Sequence, residues 1–585
     1  MEFTILDRVD SPSDVKQLSE QELVVLAKEI RELIINKVSQ TGGHLGPNLG
    51  MVEATIAMHY VFNSPVDKIV YDISHQCYPH KILTGRKHGF IDANQFQSIT
   101  GYTSPKESEH DFFTVGHTST SISLACGLAK ARDIKGAKEN IIAVIGDGSL
   151  SGGEAYEGLN NAAASGKNMI ILVNDNDMSI AVNYGGLYQN LAHLRQSNGN
   201  CENNFFKSLG FDYYYVAEGH DIKALIDVFS KVKDSNHPVV IHMNTVKGKG
   251  YEASEMNKEA FHYVGPFDLQ SGKPLSSMTK ESYTQITDQF LSQKAKRDNQ
   301  VVAITAGTPS TVGLSQFRYE CPEQFMDVGI AEEHAVALAS ALASQGAKPV
   351  LGFYSSFIQR TYDQLSQDLA INNNPALILV FGGGISSADV THLGLFDIAL
   401  TSNIPNIVYL APTTKEEYLA MVEWGLEQNE HPVIVRVPRE VVSTHETVNP
   451  DFSDLNKYQK VIDGNKVAIL ALGSFYQLGE SLHKQLKNET GIEATLINPR
   501  FASGLDEELL TELLTNHEIV VTLEDGILDG GFGEKISRFY SDKSMNVLNY
   551  GATKEFTDRV NLNELYERYR LREDLMIEDI KKLLK

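Results

Sequence analysis

The sequence predicts an α/β protein of three domains, each a mostly parallel sheet covered by helices. Apolar runs of strand length alternate with helix-like segments along most of the chain, and such alternation is typical of parallel sheets covered on both faces. A chain of 585 residues is long enough for about three or four domains of ordinary size. Polar segments interrupt the alternation near residues 252–279 and 440–458. We therefore expect domains at residues 1–280, 281–450 and 451–585.

Composition and charge indicate a soluble globular protein that does not mainly bind nucleic acid or membranes. An apolar content of 42% and a charged content of 22% are those of a soluble globular protein. The net charge of −24 argues against nucleic acid or an anionic membrane as the main partner. The N-terminus lacks the basic start and apolar core of a signal peptide, and no apolar run is long enough to span a bilayer. The four cysteines are widely spaced and form no metal-type pair, so we expect a cytoplasmic protein.

The first domain begins with a capping box at Ser19–Glu22 that predicts a helix. A glycine-dense loop follows, and further loops lie after a short strand at 69–72 and before a helix that ends near residue 131. Each of these three loops contains a histidine: His44, His75 and His117. One loop histidine is usually structural, but loops at strand ends commonly carry catalytic groups. Three histidines in Gly- and Ser-rich settings favour a functional role.

The segment 140–178 predicts one strand–helix–strand unit of a parallel sheet. Gly146-Asp147-Gly148-Ser149 follows the first strand, and Asn176 follows the second. Because the carboxyl ends of parallel strands meet at one edge, Asp147 and Asn176 should supply oxygen ligands for Mg²⁺ or Ca²⁺. The glycines and the next helix N-terminus suit a phosphate group. A tight turn with a capping Asp would explain the GDG motif alone, but Asn176 favours a metal bound to a diphosphate.

The rest of the chain continues the α/β pattern. The polar stretch 179–204 shows no periodicity, so it predicts a mobile active-site loop or lid. In the second domain we expect strands at 301–305, 349–353, 376–381, 407–410 and 433–437, with helices at about 332–345, 357–372 and 415–428. In the third domain we expect strands at 467–472, 494–497 and 519–523.

Together these motifs resemble the thiamine-diphosphate-dependent transketolase-like enzymes, and within them the 1-deoxy-D-xylulose-5-phosphate synthase family. The resemblance runs from about residue 30 to the end. The stretches that carry it are Gly42–Gly46, Ser74–Lys81, Gly116–Ser123, Gly146–Ser149, Asn174–Ile180, Lys247–Tyr251, Ile330–Ala335, Tyr354–Gln364 and Thr391-His392. It implies a transketolase-like fold, a homodimer, and thiamine diphosphate with Mg²⁺ as cofactors. The first domain would then bind the diphosphate and Mg²⁺, the second the aminopyrimidine, and the third would be the C-terminal transketolase-type domain.

The resemblance also implies roles for individual residues. Mg²⁺ would be held by Asp147, Asn176 and the main-chain carbonyl of Met178. Glu332 would hydrogen-bond the cofactor's aminopyrimidine, although acids at helix N-termini are also common for dipole reasons. The implied catalytic residues are Glu332, His44, His75 and His392. The implied cofactor-binding residues are His75, Gly116, His117, Ser119, Gly146, Asp147, Gly148, Ser149, Asn176, Met178, Lys249, Tyr251, Glu332, Phe357 and Arg360. The implied substrate-binding residues are His44, Tyr354, His392 and Arg439.

The implied reaction is the decarboxylating condensation of pyruvate with D-glyceraldehyde 3-phosphate, through an enamine on the cofactor, to 1-deoxy-D-xylulose 5-phosphate and CO₂. This transferase reaction supplies isoprenoid and thiamine biosynthesis. The chain departs from the family at the acceptor site. Phe381 stands where the family has a phosphate-binding Arg, and Ala388 stands at its Asp position unless Asp389 substitutes. Losing a charge-assisted contact should weaken a phosphorylated acceptor by roughly 1.5–3 kcal/mol, unless backbone N–H groups of Gly382–Ser387 replace it.

Three other functions remain open from the sequence. A transketolase-like paralogue would use the same cofactor with a different acceptor. The decarboxylating subunit of a 2-oxo acid dehydrogenase would pass its acyl group to a lipoyl partner, but the histidine motifs argue against it. A non-catalytic relative would be expected to lose Asp147, Asn176 or Glu332 first, and all three are present.

Overall fold

A computed structural model describes residues 3–165, 168–276, 280–444 and 448–584. The chain forms two compact units. The first contains Met1–Thr279 with Gly329–Ala331, and the second contains Lys280–Val328 with Glu332–Lys585. Parts of both predicted linkers, 277–279 and 445–447, lie outside the described residues. In the described part of the chain, no helix is both long and apolar enough to cross a membrane.

The first unit is built on a five-stranded parallel sheet with the order β1-β2-β3-β5-β4. Alternate residues of β2 enter two different apolar clusters: Ile142 and Val144 enter one, and Ile141 and Ile145 enter the other. Both faces of the sheet are therefore covered, as the continuous apolar strands predicted. The strands are β1 Lys68–Tyr71, β2 Ile141–Gly146, β3 Met169–Asp175, β4 Asp212–Val216 and β5 Pro238–Asn244.

Helices of the first unit cover this sheet. The predicted capping box is present, because the Ser19 side chain accepts the Glu22 N–H and opens a long helix. The helices are Pro12–Val15, Glu20–Thr41, Gly46–Leu49, Val52–Val61, Tyr78–Lys81, His88–Ile91, Ser121–Lys135, Gly153–Ala164, Gly186–Gln196, Phe205–Ser208, Ile222–Val232 and Glu252–Met256. Short helical turns lie at Leu6–Arg8, Ile82–Arg86, Ala93–Gln95 and Gly148–Ser151.

The second unit contains two sheets. The first has six parallel strands in the order β10-β11-β9-β8-β6-β7. These are β6 Val301–Thr305, β7 Phe325–Asp327, β8 Lys348–Tyr354, β9 Leu377–Phe381, β10 Val408–Leu410 and β11 Val433–Arg436. Its helices are Tyr283–Ala295, Phe317–Glu320, Glu332–Ser344, Tyr362–Gln364, Asp397–Thr401 and Lys415–Glu427, with turns at Pro322–Gln324, Ile358–Thr361, Leu365–Ala370 and Val390–His392.

The other sheet of this unit has the order β12-β14-β13-β15-β16, and only the pairing of β12 with β14 is antiparallel among its described strands. The strands are β12 Gln459–Ile462, β13 Lys466–Ala471, β14 Thr495–Asn498, β15 His517–Ile527 and β16 Asn546–Ala552. Its helices are Tyr476–Thr490, Glu507–Leu513, Phe532–Tyr540, Leu562–Arg568 and Glu573–Leu583, with a turn at Gly473–Phe475. Three mostly parallel sheets covered by helices confirm the predicted fold class. The exact domain boundaries stay a prediction.

Three local predictions were wrong. The stretch 179–204 is not structureless, because it contains the helix Gly186–Gln196. The segment 252–276 is not a free linker, because Phe261, Val264 and Phe267 are buried in the core of the first unit. The single helix predicted at 357–372 is three short consecutive helical segments.

Candidate active site

The metal site predicted in the first unit lies at the carboxyl edge of its sheet. Gly146 at the end of β2 pairs with Asn174 near the end of β3, so Asp147 and Asn176 emerge from neighbouring strands. Asp147 is buried, and its Oδ2 accepts the Met178 N–H at 3.0 Å and the Asn183 side-chain amide at 2.8 Å. The predicted metal residues are therefore brought together. Asn183 could not be identified from the sequence, since it lies in the stretch predicted to be a mobile lid.

The electrostatics of this edge favour a bound cation. Asp175 is fully buried, and it is held by Arg195 at 2.7 Å and by His242 Nε2 at 2.7 Å. Burial and repulsion from Asp175 raise the pKa of Asp147 to about 8. A divalent ion would offset both effects, because it neutralises the carboxylate that burial disfavours.

The residues present fit a metal bound to a diphosphate. Asn176 Oδ1 is buried and accepts no hydrogen bond from the described residues, so it is available to a ligand. The described residues contain no cluster of three His, Cys, Asp or Glu side chains. The site would instead combine the carboxylate of Asp147, the amide oxygen of Asn176 and a main-chain carbonyl. These are hard oxygen donors, which suit Mg²⁺.

Two loops that carry predicted site residues are tied together by Asp72. The carboxylate of this buried residue accepts the Ser119 N–H at 2.8 Å and the Ser121 N–H at 3.0 Å. Ser119 has a left-handed backbone, with φ of 75°, and its hydroxyl donates to the Ser149 carbonyl at 2.8 Å. Asp72 thus fixes the loop of His117 and Ser119 to the end of β1, three residues before His75. In the sequence, Asp72 is only the last residue of the strand predicted at 69–72.

A cluster of rings gathers around His44. The ring centroid of His44 lies 5.1 Å from that of His75, 5.7 Å from that of His262 and 5.0 Å from that of Tyr263. His75 and His262 are 5.2 Å apart, and Tyr102 is 5.8 Å from His44. The structure therefore brings two of the predicted catalytic residues, His44 and His75, together. It adds His262, which sequence reasoning missed because the residue lies in the segment taken for a linker.

A buried lysine joins this cluster to the metal-site loop. Lys247 Nζ lies 3.0 Å from His262 Nδ1 and donates to the Ser179 carbonyl at 2.5 Å. Burial lowers the pKa of Lys247 to about 7, and burial also lowers the pKa of His262 well below its usual value. Lys249, the lysine named from the motif, is exposed. Tyr251 packs its ring 5.7 Å from Phe261.

In the second unit, Glu332 begins the helix Glu332–Ser344 and is buried. Its Oε2 accepts no hydrogen bond from the described residues, and the nearest cation is Arg360, with Nη1 at 3.9 Å. Burial raises the pKa of Glu332 to about 7, against the opposing effect of Arg360. Such a carboxyl can donate a proton to a ligand nitrogen at neutral pH. This is the property that the predicted contact with an aminopyrimidine requires.

Aromatic and imidazole rings of the second unit also cluster. The ring of Phe357 lies 5.7 Å from the ring of Tyr354 and 5.9 Å from the ring of His392. The Thr391 hydroxyl and His392 Nδ1 are 2.9 Å apart. The predicted substrate residues Tyr354 and His392 are therefore near Phe357, which is one of the predicted cofactor-binding residues.

Phe381 is a core residue, not part of an anion site. It ends β9, is 5% exposed and packs in the apolar core of the sheet. Residues 382–392, named here the 382–392 loop, follow it. Two of the backbone N–H groups of Gly382–Ser387, which were expected as a possible phosphate cradle, are already used inside the protein. The Gly384 N–H donates to the Gly394 carbonyl, and the Ile385 N–H donates to Asp525 at 2.7 Å.

Two arginines hold the start of this loop. Arg439 donates from Nε to the Gly383 carbonyl at 2.8 Å and from Nη2 to the Gly382 carbonyl at 2.7 Å. Arg439 remains exposed. Arg436 is buried, and Asp397 holds it at 2.6 Å. Arg439 is therefore the better placed of the two to meet a ligand from solvent.

Replacing Gly384 with alanine should lower the stability of the fold by about 2–4 kcal/mol. Gly384 has φ of +112°, and an added Cβ would lie 2.1 Å from Asp525 Oδ2. Thermal unfolding followed by calorimetry measures the effect. Gly346→Ala is the matched control, because Gly346 has φ of +85° but open space around a Cβ. Equal melting temperatures for the two variants would contradict the close approach at Gly384.

Three family models match successive parts of the chain. Residues 6–202 and 196–245 match the family model for 1-deoxy-D-xylulose-5-phosphate synthase. Residues 279–444 match the transketolase pyrimidine binding domain, and residues 456–574 match the transketolase C-terminal domain.

Relatives match over nearly the whole chain. A 1-deoxy-D-xylulose-5-phosphate synthase of Caldanaerobacter subterraneus is 40% identical over 97% of both chains. Another from Alkaliphilus oremlandii is 39% identical over 99% of both chains. The full-length similarity to these enzymes, with the site residues described above, places the chain in the 1-deoxy-D-xylulose-5-phosphate synthase family.

Proposed function

We propose that the residues described above carry out the family's reaction, the condensation of pyruvate with D-glyceraldehyde 3-phosphate to 1-deoxy-D-xylulose 5-phosphate and CO₂. As a member of this family the chain is a thiamine-diphosphate-dependent transferase of isoprenoid biosynthesis. One observation supports the site assignment most strongly. Asn176 Oδ1 and Glu332 Oε2 are both buried without a hydrogen-bond donor among the described residues. Such atoms are costly unless a ligand satisfies them.

We infer that Asp147, Asn176 and the carbonyl of Met178 hold Mg²⁺, which would anchor the diphosphate of the cofactor. When bound, thiamine diphosphate supplies the carbon nucleophile and the electron sink for decarboxylation. Glu332 would bind a nitrogen of its aminopyrimidine, and Phe357 and Arg360 would contact the same part. The remaining residues proposed to bind the cofactor are His75, Gly116, His117, Ser119, Gly146, Gly148, Ser149, Lys249 and Tyr251.

The histidine cluster would handle protons on the substrates. His44 and His75 lie within ring contact of each other, and His262 contacts both. The lowered pKa of His262 keeps this ring neutral at pH 7, so it can accept a proton from a substrate hydroxyl. Lys247 would orient His262 through the 3.0 Å contact with Nδ1.

The acceptor would be bound in the second unit by Tyr354, His392 and Arg439. The match to the synthase's own N-terminal family model favours this reaction over that of a paralogue with another acceptor. Since Phe381 supplies no charge, Arg439 would carry the electrostatic contact with the acceptor phosphate. We further propose a homodimer in the cytoplasm, as the family resemblance implies.

The test is an assay of the purified protein with thiamine diphosphate, Mg²⁺ and pyruvate, with and without D-glyceraldehyde 3-phosphate. We expect CO₂ together with 1-deoxy-D-xylulose 5-phosphate. Release of CO₂ without this sugar would support a paralogue with another acceptor. Absence of CO₂ with every aldehyde tested would reject the proposed reaction.

Replacing Arg439 with glutamine should raise the KM for D-glyceraldehyde 3-phosphate by about 10- to 100-fold, because a charge-assisted contact with the phosphate is lost. The KM for pyruvate should change much less. Steady-state kinetics with each substrate varied in turn measures both values. Lys415→Gln is the control, since Lys415 pairs with Glu281 at 2.6 Å in a surface ion pair. Equal KM changes for both substrates would indicate general disruption of the site instead.

A further inference from the structure

The 382–392 loop is held at its far end by two neighbouring residues of the C-terminal sheet domain, Asp558 and Arg559. The Arg559 N–H donates to the Ala388 carbonyl at 2.9 Å, and the Val390 N–H donates to Asp558 Oδ1 at 3.3 Å. The two backbone contacts flank Asp389, whose Oδ1 lies 3.7 Å from Arg559 Nε. Three successive loop residues are thus tied to two successive residues of another segment.

Packing supports the same connection. The side chains of Ala388 and Val560 both pack against the apolar core that includes Leu395 and Tyr550. The Ala388 methyl group therefore points to this core rather than to a ligand. Asp389 is the neighbouring carboxylate, and its own carbonyl accepts the His392 N–H at 2.9 Å. A shift of Asp389 would consequently move His392, which is proposed to bind the acceptor.

The charges around Arg559 argue against a direct contact with the acceptor phosphate. Asp389 and Asp558 both lie within 3.7 Å of its Nε, with Asp558 at 3.3 Å. In the described ion pairs of Arg559, these two carboxylates outnumber the single guanidinium, and they would oppose a phosphate at this position. Arg559 is therefore suited to orient Asp389 and the loop backbone, not to bind the phosphate.

We propose that Asp558 and Arg559 clamp the 382–392 loop and that Arg559 is a positioning residue for acceptor recognition. This inference deepens the proposed function, since it assumes that the loop meets the acceptor. The side chain of Arg559 acts on Asp389, and through the Asp389 carbonyl on His392. Arg439 holds the start of the loop and the clamp holds its end, so the loop is fixed on both sides of Ser386 and Ser387.

Arg559→Gln tests the clamp, because it removes the guanidinium but keeps the backbone N–H bond to Ala388. We expect the KM for D-glyceraldehyde 3-phosphate to rise about three- to tenfold, with the KM for pyruvate unchanged. The KM for unphosphorylated D-glyceraldehyde should rise by the same factor. In Arg559→Lys, the KM for both acceptors should return part of the way to the wild-type value. Lys554→Gln is the matched control, since Lys554 is a cation of the same segment and pairs with Asp529 instead.

Three outcomes would overturn the proposal. The first is unchanged kinetics in Arg559→Gln. The second is a rise in KM for the phosphorylated acceptor alone. The third is an equal loss of kcat/KM for pyruvate and for the acceptor, together with a lower melting temperature. The second outcome would make Arg559 a phosphate ligand, and the third would make its role merely structural. A double-mutant cycle with Asp389→Asn should be non-additive, and additivity would also reject the clamp. Failure of the proposed function is separate, because the wild-type protein would then form no sugar phosphate.

Discussion

Replacing Glu332 with glutamine is expected to lower the rate of CO₂ release from pyruvate by about 10²–10⁴-fold. The carboxyl group is buried and begins a helix, and burial raises its pKa to about 7. It can therefore exchange a proton with a ligand nitrogen near neutral pH, whereas an amide cannot. Glutamine keeps the size of the side chain, so the cofactor should still bind.

Two measurements separate the catalytic effect from lost binding. Initial rates at saturating pyruvate give the loss in kcat, and calorimetry gives the affinity for thiamine diphosphate with Mg²⁺. Glu333→Gln is the matched control, because Glu333 is the next residue and is only partly buried. A Glu332→Gln protein with wild-type turnover would exclude the proton-sharing role. If the affinity for the cofactor fell by the same factor as the rate, Glu332 would serve only to bind the cofactor.

The sequence predicted those parts of the site that depend on local pattern. Asp147 and Asn176 each follow an apolar strand, and parallel pairing is enough to bring two such strand ends together. Glu332 was identified from a motif at the start of a helix, and the structure has it there. In each case a short segment fixes both the backbone conformation and the direction of the side chain.

The residues that sequence reasoning missed depend on contacts between distant segments. His262 lies in a stretch without periodicity, yet Val264 pairs with Gly43 and so brings the stretch beside His44. Lys247 and Lys249 look equivalent in the motif, and only the tertiary structure buries the first and exposes the second. Tertiary packing also decided the conformation of 179–204, where Asn183 binds Asp147 although the local pattern predicted a mobile loop.

The proposed acceptor site also depends on contacts between distant segments, which the sequence does not show. The sequence indicated that a phosphate-binding Arg is replaced by Phe381, but not where the loop after it is anchored. Its anchors are Arg439, Asp525 and the pair at 558–559, which lie far along the chain. Three consecutive glycines look like a phosphate loop in sequence. In the structure Gly384 is needed because Asp525 approaches the backbone closely.

Replacing Asp147 with asparagine should have opposite effects on stability and on cofactor binding. Without cofactor, the variant should be more stable than the wild-type protein at pH 8, because a buried carboxylate that Asp175 repels is removed. The folded pKa of about 8 lies above the ordinary value of 3.8, so burial costs the folded state most above pH 8. The gain should therefore shrink as the pH falls toward 4.

Cofactor binding should fall in the same variant. Affinity for thiamine diphosphate with Mg²⁺ should drop more than about 100-fold. Mutation of a residue that only hydrogen-bonds a metal ligand already lowers metal affinity by about 10- to 100-fold, and Asp147 is proposed to be a ligand itself. Thermal unfolding with and without cofactor measures both effects, and Asp177→Asn is the control because Asp177 is exposed. The wild-type protein should gain stability from the cofactor by mass action, and the variant should gain almost none. A residue that served only the fold would lower the melting temperature in both conditions. The Asp147→Asn variant should instead have a higher melting temperature without cofactor and show no rise in melting temperature when cofactor is added. That result would show that the bound metal offsets the cost of burying the Asp147 carboxylate.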